Sequence, residues 1–263
     1  MAAEMRDERL TVGAGEASRE IVSIVRPGAA PGLFWLGGFK SDMAGTKALA
    51  LDAHAAERGL AMRRFDYSGH GISGGRFADG TISRWLEEAL AVFDRTEGKQ
   101  ILIGSSMGGW IALLLTEAHR IAAGAGRSRI GGVVLIAPAV DMTRALMWAE
   151  MDGAARETLM KEGRWMRPSD YSTEPYPITK VMIEDGDRHL FGNRLIETGC
   201  PVHIIQGLRD TDVPWRHATA LVSRFASDDV VLTLIKDGDH RLSRPEDNER
   251  LIAAVDGLAS ETG

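Results

Sequence analysis

Cysteine is almost absent from this chain: Cys200 is the single one in 263 residues. One thiol cannot build an internal disulfide framework, which fits a reducing compartment. Cys200 sits just before Pro-Val-His-Ile-Ile and reads as an inert thiol at the edge of a strand. Basic runs are missing too. Lys and Arg total 31 against 37 Asp and Glu, for a net charge of −6, so there is no electrostatic case for a nucleic-acid partner. No hydrophobic run is long enough to span a bilayer. The longest near-apolar stretch, Ile130 to Val140, contains Gly and Pro and falls well short of the roughly 20 residues required. The first ten residues mix acids and bases around no apolar segment, unlike a secretory signal or an acid-poor transit peptide. A soluble cytoplasmic protein is expected. Repeats and low-complexity linkers are also lacking. Asp185-Gly186-Asp187-Arg188-His189 holds acids and a histidine, but at no spacing that suits a metal, so neither metal nor cofactor is expected.

What the chain does have is apolar material, 44% of residues, enough for a sizeable core. Short runs recur at Gly32–Leu36, Leu60–Phe65, Ile101–Ile103, Gly132–Ile136, Val202–Ile205 and Val230–Ile235. They lack strict alternation, as strands buried on both faces of a parallel sheet do. Glu20–Val25 alternates more and predicts an outer strand. Helical patterns fall between the runs: Asp42 to Arg58, Thr81 to Thr96, Met107 to Ile121, Trp215 to Ala226 and Pro245 to Leu258. The alternation predicts a single α/β domain with a mostly parallel sheet. From Asp141 to Gly199 the rhythm breaks. That region holds six of the eleven methionines, shows helical patterns and no convincing strand, and reads as a helical insertion between two sheet strands.

Gly-x-Ser-x-Gly occurs twice, at Gly71–Gly75 and Gly104–Gly108. A chain of this composition gives roughly 0.2 chance matches, so context decides. A nucleophile elbow needs a strand, a sharp turn and then a helix. Gly71–Gly75 lies in a glycine-rich loop, which makes Ser73 a loop residue. Gly104–Gly108 follows the strand-like Lys99–Ile103 and precedes a helix that is apolar nearly all round, and its central serine is Ser106. Ser105, the neighbour, has its side chain turned elsewhere.

A serine hydroxyl needs a base, and the base needs an orienting acid. Asp210 and His240 lie just past the carboxyl ends of two consecutive predicted strands, the edge that ligands occupy in open α/β sheets. Asp212 competes with Asp210, which lies nearer the strand end. His217 is a weak rival to His240. His54 and His119 fall in helices, His203 in a strand, His189 in the insertion, and His70 in the glycine-rich loop, where it fixes backbone. The backbone N–H of Met107, next after the serine, is one oxyanion donor. The N–H of Phe39, after Gly37-Gly38, is the candidate for the second. Gly38 there permits close approach to substrate, although the two glycines also suit a plain tight turn.

These features together resemble the α/β-hydrolase fold: Gly104-Ser105-Ser106-Met107-Gly108, the Asp-x-x-Val-Pro of Asp210 to Pro214, His240, and the loop Asp66-Tyr67-Ser68-Gly69-His70-Gly71-Ile72-Ser73. Leu36–Met43, Gly45–Ala48, Pro168–Ser172 and Asp237–Arg241 are similar to the small acyl-protein thioesterase branch known from mitochondria, which removes palmitoyl groups and cleaves acyl glucuronides. The resemblance implies Ser106 as nucleophile, Asp210 as acid and His240 as base of an ester or thioester hydrolase. Its substrate would be a small molecule or acyl chain, including an acylated protein. The alternative is a non-hydrolytic ligand-binding or lyase relative on the same scaffold. The insertion falls where such enzymes carry a helical cap. Arg144, Met147, Trp148 and Met151 could share one helix face there, either lining an acyl pocket or packing the cap onto the domain.

Overall fold

The computed structural model describes residues 5–124, 126–168, 174–226 and 229–262. Two charged or alternating strands come first, β1 (Arg6–Val12) and β2 (Arg19–Arg26), then β3 (Ala29–Leu36), α1 (Thr46–Arg58) and β4 (Leu60–Phe65). There follow α2 (Ile82–Phe93), β5 (Gln100–Ser105), α3 (Met107–Ala123) and β6 (Ile130–Ile136). The region after β6 contains a π-helical turn (Thr143–Trp148), α4 (Gly153–Glu162), β7 (Arg164–Arg167), β8 (Tyr176–Thr179) and α5 (Lys180–Gly186). The chain ends with β9 (Val202–Gly207), α6 (Trp215–Val222), β10 (Val230–Ile235) and α7 (Pro245–Thr262).

Eight strands make one sheet in the order β1-β2-β4-β3-β5-β6-β9-β10. β2 pairs antiparallel with β1 and β4, and the remaining neighbours are parallel. The central strands are buried on both faces, and the period of two sorts their side chains into two cores. Leu33, Trp35, Ile101, Ile103, Val134 and Ile136 pack with Leu51 of α1 and Val255 of α7. Phe34, Leu36, Leu102, Val133 and Leu135 pack with Trp85 of α2 and Trp110 of α3. The chain leaves β3 for β4 on one side and returns to β5 on the other. That switch point opens a crevice beyond the carboxyl ends of β3 and β5. Among the described residues no helix is long and apolar enough to cross a membrane.

Three elements differ from expectation. β1 is a charged edge strand, R-D-E-R-L-T-V, with mostly exposed residues. Charge protects a sheet edge from further pairing and also hides it from a hydrophobic pattern. Residues 141–199 are not wholly helical: β7 and β8 form an antiparallel hairpin, with Trp165 opposite Ile178. Four-residue strands are too short to show a period, and Pro177 in β8 argues against a strand in sequence. The first helix starts at Thr46, not Asp42, because residues 37–45 form an irregular loop at the crevice.

A buried ion pair ties the antiparallel side of the sheet to α2. Arg19 Nε donates to Glu88 Oε1 at 2.6 Å, with side chains 2% and 0% exposed. Glu88 Oε2 also accepts the N–H of Ser68 at 2.8 Å, which anchors the turn after β4. Removing one member of a buried pair costs about 3–5 kcal/mol, and here Arg19 keeps a bond from Nη2 to Glu87 Oε2 at 2.7 Å, which holds the cost to the low end. Glu88→Ala should therefore lower unfolding free energy by about 3 kcal/mol, read as an earlier urea midpoint at unchanged slope.

Candidate active site

Ser106 joins β5 to α3 with φ 54° and ψ −117°, a backbone conformation that L residues avoid. The glycines around it make the turn possible. A Cβ on Gly104 would lie 2.4 Å from the Gly108 oxygen, and one on Gly108 would lie 2.0 Å from the Leu36 oxygen. The start of α3 thus packs directly on β3 and β5. Three backbone bonds hold the turn: Ser106 N–H to Ile136 O at 2.8 Å, and the N–H groups of Gly109 and Ala139 to Ser106 O at 2.9 and 3.1 Å. Ser105 ends β5 and is buried. Ser73 lies in the turn after β4. Its hydroxyl donates to Asp66 O at 2.7 Å and accepts the Val22 N–H at 2.8 Å, both structural bonds.

The residues brought together with Ser106 come from the ends of β9 and β10. Ser106 Oγ lies 3.1 Å from His240 Nε2, and His240 Nδ1 lies 2.9 Å from Asp210 Oδ2. The Asp210 carboxylate can only accept, so Nδ1 carries the ring proton, which leaves Nε2 as the acceptor for the serine hydroxyl. Asp210 has a fully buried side chain. It also accepts the N–H groups of Asp212 and Val213 on Oδ1, at 2.9 and 2.8 Å, and Gln206 Nε2 on Oδ2 at 3.0 Å. Asp212 therefore serves Asp210 through its backbone, while its own side chain lines the crevice. Asp210, Asp212 and His240 bring ligand atoms within 4.8 Å of one another, a set that a metal could use in principle. Both ring nitrogens of His240 are already engaged with Asp210 and Ser106, so this set does not fit a resident metal.

Met107 follows Ser106 in the chain, and Phe39 lines the same pocket as Ser106. A Cβ on Gly38 would stand 3.4 Å from Ser106 Cβ, so the loop after β3 lies against the elbow. Among the described residues, the N–H groups of Phe39 and Met107 donate to no other backbone group. The other histidines all have structural partners. His54 meets Asp256, His119 accepts the Arg129 N–H, His203 meets Thr233, and His217 bonds Val140 O. His189 meets Ser83, whose hydroxyl donates to Asp185.

A pocket of about 410 Å³ opens over Ser106 and His240. Its apolar wall includes Trp35, Ala139, Met142, Leu146, Met147 and Val213. Gly38 and Met147 line it, but Trp148 and Met151 do not. The guanidiniums of Arg144 and Arg156 each lie over the Trp148 ring at 5.1 Å from its centroid, and Met151 is buried in the core. The expected shared face assumed α-helical spacing. The π-helical turn, with its wider i→i+5 repeat, presents Met142, Leu146 and Met147 to the pocket instead. Sequence reasoning also missed Lys47, carrying it only within a resembling stretch. Lys47 Nζ donates to Arg241 O and lies 3.3 Å from Ser243 Oγ, tying α1 to the loop that carries His240. Burial, helped by the Arg241 charge, pulls its ammonium down to about 8. A lysine that titrates low gives no sign in sequence, because the cause is its surroundings. Of the stretches carrying the resemblance, Ser169–Ser172 lie outside the described residues.

Residues 38–176 match the hydrolase family described as serine aminopeptidase, S33. The mouse protein named palmitoyl-protein thioesterase ABHD10, mitochondrial, is 36% identical over 233 residues, 88% of this chain and 76% of its own. The chain belongs to the α/β-hydrolase superfamily, in the branch of the ABHD10 proteins. It is a hydrolase of ester or thioester bonds. A solved putative hydrolase from Agrobacterium vitis S4 is 49% identical, with a TM-score of 0.94, covering 97% of this chain and 99% of that one. The solved mouse α/β-hydrolase domain-containing protein 10 is 30% identical, with a TM-score of 0.85, covering 97% and 100%. These relatives correct one expectation. The curated ABHD10 proteins are mitochondrial, which overturns the cytoplasmic location read from composition and the first ten residues.

The glycines of the elbow and of the loop after β3 differ in how much room they leave. Gly108→Ala should abolish turnover and lower stability by about 1–3 kcal/mol, since its Cβ meets backbone at 2.0 Å. Gly37→Ala, whose Cβ meets only Trp35 Nε1 at 3.8 Å, should keep the wild-type thermal midpoint. Thermal unfolding beside an ester-hydrolysis assay checks both.

Proposed function

We propose that this hydrolase works through an acyl-enzyme, with Ser106 as nucleophile, His240 as general base and acid, and Asp210 as the orienting carboxylate. The observation that carries the reading is the unbroken chain Ser106 Oγ–His240 Nε2–His240 Nδ1–Asp210 Oδ2, with links of 3.1 and 2.9 Å across the heavy atoms. Ser106 Oγ attacks the acyl carbon as its proton passes to Nε2. Asp210 stabilises the imidazolium and holds the ring's tautomer. The N–H groups of Phe39 and Met107 receive the oxyanion. Collapse expels the thiol or alcohol, which takes the proton from Nε2. A water then repeats the sequence on the acyl-enzyme and returns Ser106.

The acyl group lies against the apolar wall of Trp35, Met142, Leu146 and Met147. Methionine conforms to irregular chains, which suits an acyl pocket. Residues 141–199 act as a cap: they supply part of that wall and leave the chemistry to the sheet. The relatives named palmitoyl-protein thioesterase favour long-chain acyl thioesters, either small molecules or acylated proteins. No cofactor enters any step of this scheme.

Ser106→Ala should cut kcat by at least about 10⁴-fold while leaving the fold intact. Ser105→Ala should matter far less. Ser73→Ala should lower stability by about 1 kcal/mol, through its two backbone bonds, more than it lowers kcat. Asp210→Asn should be far more damaging than Asp212→Asn. Hydrolysis of p-nitrophenyl esters and acyl-cysteine thioesters of graded length, with fluorophosphonate labelling, reads the turnover of all five variants, and urea unfolding reads the stability of Ser73→Ala. A Ser106→Ala enzyme that still turns over would sink the assignment.

A further inference from the structure

The loop after β3 carries Phe39 but lies outside any helix or strand. Two backbone bonds shape it. Ser41 N–H donates to Gly38 O at 3.1 Å, and Lys40 N–H donates to Nε2 of His70 at 3.1 Å. Between them Lys40 sits at φ 58°, in the left-handed region. A lysine holds that conformation only where its surroundings impose it.

His70 is built to impose it. Its Nδ1 lies 3.2 Å from Ser68 O, which can only accept, so Nδ1 carries the proton and Nε2 is left as an acceptor. The residue is 4% exposed. Its ring lies 5.9, 5.2 and 5.4 Å from those of Tyr67, Phe77 and Trp85. Burial, with a smaller push from the Lys40 ammonium, lowers its pKa to about 4, so the acceptor persists at neutral pH. The Phe39 ring sits in the same aromatic group, 4.9 Å from Phe77, 5.9 Å from Trp85 and 5.7 Å from Tyr176. The Phe39 side chain and the next peptide N–H are therefore braced by one cluster.

We propose that His70 is a positioning residue for the oxyanion hole: its neutral Nε2 holds the Lys40 N–H and so aims the Phe39 N–H at the oxygen of the tetrahedral intermediate. This rests on the proposed roles of Ser106 and Phe39. It gives the Asp66–Ser73 turn a part in turnover rather than in folding alone.

The test compares His70→Phe, which keeps a ring and removes the acceptor, with His70→Gln, whose amide can accept from Lys40 and donate to Ser68. Ser106→Ala is the reference, and the substrate is a p-nitrophenyl ester. Deleting an oxyanion donor outright costs about 10²–10³-fold in kcat. His70→Phe should misaim the donor and cost about ten- to a hundredfold in kcat, with KM within about threefold. His70→Gln should recover much of the loss. Wild-type kcat in His70→Phe, or a loss that follows the thermal midpoint and is not rescued by Gln, overturns the proposal. If Ser106→Ala stays active, the underlying reading fails. If Ser106→Ala is dead and His70→Phe is normal, only this inference fails. Should His70→Phe not fold, nitrogen NMR of the wild-type imidazole decides. The proposal requires an unprotonated Nε2 whose signal moves when a phosphonate occupies Ser106, and a protonated or unmoved Nε2 overturns it.

Discussion

The site depends on one constraint, the near-contact of the first turn of α3 with the carboxyl ends of β3 and β5. Gly104 and Gly108 allow it, and side chains there would run into backbone at 2.4 and 2.0 Å. The approach forces Ser106 to positive φ, a sparsely populated conformation that costs an L residue roughly 1–3 kcal/mol. Three backbone hydrogen bonds at Ser106 offset that cost. The same packing sets two further quantities. It leaves the Met107 N–H at the start of a 17-residue helix, where the peptide dipoles favour developing negative charge. It also brings the Gly37–Phe39 loop against the serine. One close approach thus fixes the proposed nucleophile and the spacing of the two proposed oxyanion donors.

Buried polar groups hold what the elbow does not. On the acid side, Asp210 is locked by four donors from Gln206, Asp212, Val213 and His240. A carboxylate satisfied this fully cannot swing away from the imidazole. On the side of the proposed oxyanion donor Phe39 the brace is longer. Asp66 accepts the N–H groups of Met43 and Ile72 at 2.7 and 2.9 Å, although burial raises its pKa against those bonds. Gly71 is obligatory here, since a Cβ would fall 1.9 Å from Asp66 Oδ2. Glu88 holds Ser68, and Ser68 O receives both His70 and Trp85. The turn after β4 is therefore a polar strut between α2 and the loop after β3. Its glycine-rich composition follows from the carboxylate and carbonyls it encloses.

The parts of this design that were legible in sequence are those where one physical cause leaves a local mark. Strands buried on both faces read as apolar runs, and β4, β9 and β10 began within a residue of expectation. The elbow was legible because a strained turn demands small neighbours between a strand and a helix. The choice between Asp210 and Asp212 was not, since both follow the same strand. It is made by the chain curling to give two backbone N–H groups to Asp210, a geometry with no compositional signature. β1 was hidden by its charges, and the β7–β8 hairpin by its brevity and Pro177. Trp148 and Met151 were misplaced because a π-turn shifts every later residue around the helix axis relative to an α spacing.

That π-turn also bears on how specificity is built. Residues 141–199 are both closed on themselves and pinned to the sheet domain. Asp141 accepts the N–H groups of Phe191 and Gly192 at 2.7 and 2.9 Å, closing the segment on itself near both ends. Ser83 at the start of α2 engages Asp185 and His189. Between these anchors, the wall over Ser106 is supplied by Met142, Leu146 and Met147 in and beside a non-α turn. The groups proposed to react stand on the ends of β5, β9 and β10, so changing those three side chains reshapes the pocket without touching the hydrogen-bond chain through His240. In the proposed scheme, chemistry and selectivity occupy different layers of the molecule. They meet at Gly38, which has no side chain and lines the pocket beside Ser106.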